Sequence, residues 1–210
     1  MANLITISRF PLLIAIIIMQ YTTSPGARLV SVALIVLLIL MDMFDGMIAR
    51  KRHEESLLGS VLDIMADRSV ELVMWIVFGH LGLVPIVIPI IFVLRGTIVD
   101  ALRSVSVSEG TAPFKAMKSR LGRFLVGSPW MRSPYGVFKA IAFAGLALTH
   151  ALAAYAARGQ VSTTLVGHSR TVFNVVSWIA TAYCLVRGIP VVVEVLPTLL
   201  ERPPEDVEAA

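Results

Sequence analysis

Residues 29–67 read LVSVALIVLLILMDMFDGMIARKRHEESLLGSVLDIMAD, an apolar run that ends in a cluster of acids. No charged side chain interrupts 29–41, and four aspartates then follow at 42, 45, 63 and 67. A helix of that apolarity, about 20 residues long, crosses the hydrocarbon layer of a bilayer. Acids at its end mark where the chain reaches polar ground. Asp42 and Asp45, three apart, share one helix face, and Asp63 and Asp67, four apart, share another. The stretch 46–58 returns the chain, so the two helix ends form an antiparallel pair. Four carboxylates are then expected to converge at one membrane boundary.

The rest of the chain agrees with a bilayer as solvent. Of 210 residues, 57% are hydrophobic and 15% charged, where soluble domains run near a quarter charged. That composition excludes a disordered chain, a disulfide-stapled secreted domain and a coiled coil. A formal charge of +4 is too small to argue for nucleic acid. Six apolar segments are expected to span, at about 4–21, 29–45, 58–81, 84–105, 135–157 and 171–196, giving an all-α integral membrane protein. Turn chemistry separates them at Ser24-Pro25-Gly26, at Gly82 and at Gly159. Residues 1–200 read as one six-helix domain, and the Pro-rich, acidic 201–210 as a disordered cytoplasmic tail. No small-x-small site follows the first segment, so a cleaved signal peptide is not expected. Cys184, the single cysteine, lies in an apolar run and reads as a packed thiol.

Basic residues orient the chain. Arg50, Lys51 and Arg52, with Arg103, Lys115, Lys118, Arg120, Arg123 and Arg132, make nine of the eighteen, all on one side of a six-span plan. The opposite loops hold Arg28, Arg158 and Arg170. Positive-inside bias places both termini and the basic loops in the cytoplasm, and the acidic cluster at the cytoplasmic ends of helices 2 and 3. The loop 104–134 mixes apolar and basic residues, which suits either a membrane-surface segment or a solvated loop.

Four clustered carboxylates need compensation, because like charges at short range disfavour one another. Protonation, as in an ion pathway, is one solution, and a divalent cation on hard oxygen ligands is another. Ion pairing with Arg50, Arg68 or Arg95 is a third, purely structural one. Arg50 lies beside the acids, and Gly46 and Gly59 remove side chains where a ligand approaches backbone. Acid, metal, arginine and glycine together describe a pyrophosphate site.

Asp42-Met-Phe-Asp45-Gly46-Met-Ile-Ala49-Arg50, then eight residues, then Gly59-Ser-Val-Leu-Asp63-Ile-Met-Ala-Asp67, resembles the signature of the CDP-alcohol phosphotransferases at every defining position. Ile64 departs from the Pro that many members carry there. The resemblance implies an integral-membrane transferase that moves a phosphatidyl group from CDP-diacylglycerol to an alcohol and releases CMP. It implies that Asp42, Asp45, Asp63 and Asp67 hold one or two Mg²⁺ or Mn²⁺ ions and that Asp67 is the base. It implies CMP contacts from Gly46, Arg50 and Gly59, and a homodimer in the cytoplasmic (inner) membrane.

For the acceptor, Asn3-Leu-Ile-Thr6-Ile-Ser-Arg9 resembles the opening of phosphatidylglycerophosphate synthases. Serine-using members usually carry another residue where Arg9 stands. Arg103, Lys139, Arg95 and Arg120 are candidate ligands for an acceptor phosphate, although Arg103 suits a pair with Asp100 equally well. Ala140 replaces the Thr that often follows the lysine. The surplus of cations on the site's side favours glycerol 3-phosphate, with inositol phosphate as the alternative. From another class, an ion or proton transporter would use the same acids; Arg50, Gly46 and Gly59 separate the two, because they suit a pyrophosphate and hinder cation passage. Glu71 is expected to pair with Arg68 or Arg95, and Glu194 with Arg187. His53, His80, His150 and His168 lack metal-ligand spacing.

Overall fold

The computed structural model describes residues 2–52, 57–108 and 119–200; at 44–52, 57–58 and 103–108, and at several other positions including Arg120 and Arg123, it describes backbone only. Every regular element among the described residues is helical. In chain order they are α1 (Ala2–Tyr21), α2 (Pro25–Arg52), α3 (Leu57–His80), α4 (Val87–Ser108), α5 (Arg120–Gly127), α6 (Pro129–Ala156) and α7 (Thr163–Leu200). Each expected span falls within one of α1–α4, α6 and α7 or overruns its ends by a few residues. Several helices are longer than the apolar segments: α6 begins at Pro129 and α7 at Thr163, where spans from 135 and 171 are expected. Proline early in a helix explains one of these differences, since Pro129 opens α6 where its missing N–H has no intrahelical partner to lose. Pro25 opens α2 in the same way.

Among the described residues, three stretches, against the six expected, are long and apolar enough to cross a bilayer by length and composition: Pro25–Met43, Ser133–Ala156 and Thr163–Glu194. Thr6–Tyr21 is a shorter apolar helix. Large apolar side chains such as Ile14, Ile18, Val36, Leu37, Ile76, Ile90 and Val175 are exposed on these helices. Patches of that kind belong against lipid, and the chain is an integral membrane protein.

The chain divides into two compact units, Met1–Pro89 with Phe138–Trp178, and Ile90–Val137 with Ile179–Ala210. In the first, α1 packs on both α2 and α3. The buried residues of α1 are Thr6, Arg9, Leu13, Ile16 and Gln20, spaced three and four apart, which is the repeat of a single helix face. Those of α2 run Ser31, Ile35, Leu38, and the next position in that series is Asp42. Both stripes are polar at the ends and apolar between. The short turn after Tyr21 makes the helices antiparallel, so opposite ends meet. Gln20 Nε2 donates to Ser31 Oγ at 2.9 Å, and eleven residues away on each helix Arg9 Nη1 lies 2.9 Å from Asp42 Oδ1. Leu13, Ile16, Ile35 and Leu38 fill the space between.

On α3, Ala66, Val70, Met74, Trp75 and Phe78 face inward. Phe143 of α6 meets the Trp75 ring edge-on at 4.9 Å and the Phe78 ring at 6.0 Å, an aromatic cluster of the kind that adds about 0.5–1.5 kcal/mol per pair beyond area burial. Ala142, Gly145, Leu146, Ala147 and Ala151 make the buried face of α6, and a Cβ on Gly145 would overlap the Phe173 ring of α7. Small residues let helices approach closely where lipid leaves no hydrophobic drive for association.

α3 and α6 end alike. Gly82 and Gly159 have φ of +67° and +70°, and each supplies the left-handed residue of a Schellman cap. Leu83 N donates to Phe78 O and Gly82 N to Gly79 O; Gln160 N donates to Tyr155 O and Gly159 N to Ala156 O. Other bare carbonyls here take side-chain donors. Arg28 Nε bonds Thr22 O, Arg158 Nη2 bonds Thr23 O, Arg170 Nη2 bonds Gly82 O and Asn174 Nδ2 bonds Leu83 O.

In the second unit, Val99, Leu102, Val126 and Val191 form a small apolar core. Ser119 caps α5 by accepting from Gly122 N, and Glu194 accepts from both the backbone N–H and the hydroxyl of Ser119. Arg187 donates to Val126 O and lies over the Tyr135 ring. The Arg95 stem crosses Gly188 at the contact limit, with a Cβ there only 2.6 Å from Arg95 Cγ. Cys184 is buried and in no disulfide, as a packed thiol should be. The loop 104–134 is helical at both ends and includes α5, while 109–118 and the tail 201–210 lie outside the described residues.

Candidate metal centre

Arg9 has one helical turn of polar neighbourhood in an otherwise apolar segment. A guanidinium at that depth is expensive unless it meets anions, and the chain offers one concentration of them. Its side chain is 4% exposed, against 41% for Asp42, 49% for Asp63 and 47% for Asp67. Nη1 lies 2.9 Å from Asp42 Oδ1 and 3.8 Å from Asp63 Oδ1, and Nη2 donates to Asp67 Oδ1 at 2.8 Å. One buried cation from α1 thus gathers half-exposed carboxylates from α2 and α3.

The three carboxylates are close enough to share more than an arginine. One oxygen from each of Asp42, Asp63 and Asp67 lies within 4.8 Å of the others. Hard divalent cations bind oxygen at about 2.0–2.6 Å, so ligand oxygens around one ion stand no farther apart than about twice that. Separation, ligand type and charge therefore fit a divalent cation, and the cluster can coordinate one. Asp45, Gly46 and Arg50 belong to the stretch described by backbone only, so their side chains do not enter this geometry. The backbone of α2 is helical through Arg52, which keeps Asp42 and Asp45 on one side of it.

A second charged group lies one turn further along α3. Glu71, 7% exposed, takes Arg68 Nη1 on Oε2 and Lys139 Nζ on Oε1, each at 2.9 Å. Asp63, Asp67 and Glu71 form a stripe four residues apart, the first two on the cation of α1 and the third on the cation of α6. Arg68 pairs with Glu71 as the sequence suggests, and Lys139 takes the place that the sequence offers to Arg95. Of the other candidate acceptor ligands, Arg103 and Arg120 are described by backbone only, and Arg95 has a buried Nε without a hydrogen-bond partner. His150 Nδ1 donates to Gln20 Oε1 at 2.7 Å, a structural bond far along α1 from Arg9.

The role of Arg9 in this site is what the sequence reading missed, having used the residue only as a mark of acceptor class. A signal was present: an arginine at the eighth position of an apolar helix must find carboxylates. Thr6, Arg9 and Gln20, the buried polar residues of α1, mark its inner face.

Two curated proteins bear the name CDP-diacylglycerol–glycerol-3-phosphate 3-phosphatidyltransferase and resemble this chain. The one from Cereibacter sphaeroides is 30% identical over 151 residues, covering 70% of this chain and 65% of its own length. The one from Rickettsia bellii is 41% identical over 66 residues, covering 31% of this chain and 36% of its own length. The chain thus aligns with less than two thirds of either relative. The family model described as CDP-alcohol phosphatidyltransferase matches residues 1–200, nearly the whole sequence. With three of the four signature acids in one carboxylate cluster, the chain belongs to the CDP-alcohol phosphatidyltransferase family.

Proposed function

We propose that the protein transfers a phosphatidyl group from CDP-diacylglycerol to glycerol 3-phosphate, giving phosphatidylglycerophosphate and CMP. The observation that carries this reading is the convergence of Asp42, Asp63 and Asp67, the described acids of the family signature, on one point. The names of the two relatives support the choice of donor and acceptor.

Asp42, Asp45, Asp63 and Asp67 are assigned to hold one or two Mg²⁺ or Mn²⁺ ions. Bound there, the metal supplies Lewis-acid stabilisation of charge on the phosphates. The acceptor hydroxyl oxygen forms a bond to the phosphorus bearing diacylglycerol, the bond from that phosphorus to the CMP oxygen breaks, and CMP leaves. Asp67 takes the hydroxyl proton; Arg9, bonded to its Oδ1, fixes the carboxylate's orientation. Gly46, Arg50 and Gly59 are assigned to CMP. Lys139, Arg95, Arg103 and Arg120 are assigned to the acceptor phosphate, a group that an uncharged acceptor would not need.

The same reading takes the chain as one six-span catalytic unit of the inner membrane, working as a homodimer, with both termini and the acidic site on the cytoplasmic side. Purified protein in CDP-diacylglycerol micelles with Mg²⁺ or Mn²⁺ should release CMP on addition of glycerol 3-phosphate. Serine and inositol 1-phosphate should give far less. Asp67→Asn should lower kcat by about 10²–10⁴-fold, the range of a general base. Absence of CMP release with every alcohol tried would sink the enzyme reading.

A further inference from the structure

Arg9 is seated oddly for a permanent structural pivot. A guanidinium has five N–H donors, and a buried one is costly unless they find acceptors. Here one directional hydrogen bond is made, from Nη2 to Asp67, while Nε and Nη1 are buried without a hydrogen-bond partner. The approaches of Nη1 to Asp42 and Asp63 are ion pairs without hydrogen-bond geometry. The attraction is therefore mostly Coulombic, spread over three carboxylates and locked to none but Asp67. Those same three carboxylates are the cluster that fits a divalent cation.

We propose that Arg9 is a resident counter-cation that competes with the divalent ion for Asp42, Asp63 and Asp67, and so holds metal affinity low. This rests on the metal reading above and goes beyond it. In the metal-free protein, Arg9 offsets the mutual repulsion of the carboxylates and keeps α1 against α2 and α3. When the ion binds, the two cations are neighbours and repel, so the ion binds more weakly than the carboxylates alone would allow.

The test measures Mn²⁺ binding to the full chain in nanodiscs, without nucleotide or lipid substrate, from the electron paramagnetic resonance signal of free Mn²⁺. Removal of the charge in Arg9→Gln should tighten Mn²⁺ binding by about tenfold, a modest Coulomb term. Arg9→Lys keeps a point charge that cannot bridge three carboxylates, and should tighten it by about threefold. In EDTA, Arg9→Gln should melt below the parent protein, and saturating Mn²⁺ should close that gap. Unchanged or weaker Mn²⁺ binding in the variants would overturn the proposal, because a residue that merely preorganises the acids would weaken binding when lost. Should Arg9→Gln fail to fold, the Arg9→Lys affinity decides alone by the same criterion. A parent protein that binds no Mn²⁺ overturns the metal reading and this proposal together; a parent that binds it, with indifferent variants, overturns this proposal only.

Discussion

Glu71 and Lys139 show how a single ion pair can hold two helices in lipid. Glu71 is 7% exposed and Lys139 21%, and Arg68 completes the group from one turn away on α3. Breaking one partner of such a group leaves a buried charge uncompensated, which costs about 3–5 kcal/mol, whereas replacing both partners by apolar residues is often neutral. Glu71→Met, which strands Lys139 and Arg68 together, should therefore lower thermal stability in detergent strongly, and Lys139→Met, which leaves Glu71 paired with Arg68, should lower it less. The double variant, in which only Arg68 keeps its charge, should recover part of the Glu71→Met loss, read as a coupling energy in the cycle. Additive losses would mean that the pair does not hold the helices. The cycle also separates two roles for Lys139. If the lysine touches the acceptor, the stable double variant still shows a raised KM for glycerol 3-phosphate.

At the scale of the element, the glycine-capped ends of α3 and α6 were the most legible feature and helix faces the least. Gly82 and Gly159 are readable because a Schellman cap needs a left-handed residue and glycine adopts it without steric cost. The acidic signature is readable because its spacing places carboxylates on common faces. The inner face of α1 is harder to find, since in lipid the outward face is also apolar and hydropathy carries no helical period. Only Thr6, Arg9 and Gln20 mark it. Pairings such as Glu71 with Lys139, 68 residues apart, leave no local pattern at all. Close approach of α6 and α7 is likewise hidden in one glycine, and it yields a test. Gly145→Ala gains up to about 1 kcal/mol of helix propensity but sets a methyl into the Phe173 ring, and overpacking of that kind costs about 1–3 kcal/mol. Overlap should win and the melting temperature should fall. Gly136→Ala on the same helix meets nothing within 4 Å and should raise it. Equal gains at both sites would show that Phe173 moves aside without cost.

Across the whole molecule, scarce charge is sorted by end and by use. Arg28, Arg158 and Arg170, the basic residues expected on the side away from the acids, each bond a backbone carbonyl at a helix end or turn. Their position is thus explained by capping, and half of the basic residues still lie in the two segments expected on the opposite side. Positive-inside bias counts short-loop cations near span ends, so this asymmetry should fix orientation. The chain lends itself to a direct check because Cys184, its one thiol, is fully buried and should not react with a bulky reagent. Gln160→Cys places a thiol on the exposed turn between α6 and α7, and Ala112→Cys places one in the basic loop. In intact spheroplasts a membrane-impermeant maleimide should label the first and spare the second. Permeabilised cells should label both, and the parent protein should stay unlabelled throughout. The reverse pattern would put the carboxylate cluster on the outer side, away from any cytoplasmic supply of nucleotide-activated lipid and acceptor phosphate, and the transferase reading would fail on topology alone. Labelling of both in intact cells would mean an even number of spans between residues 112 and 160, contrary to α6 crossing alone, provided the impermeant reagent had not leaked; a soluble thiol protein of the cytoplasm, unlabelled in the same sample, excludes that leak.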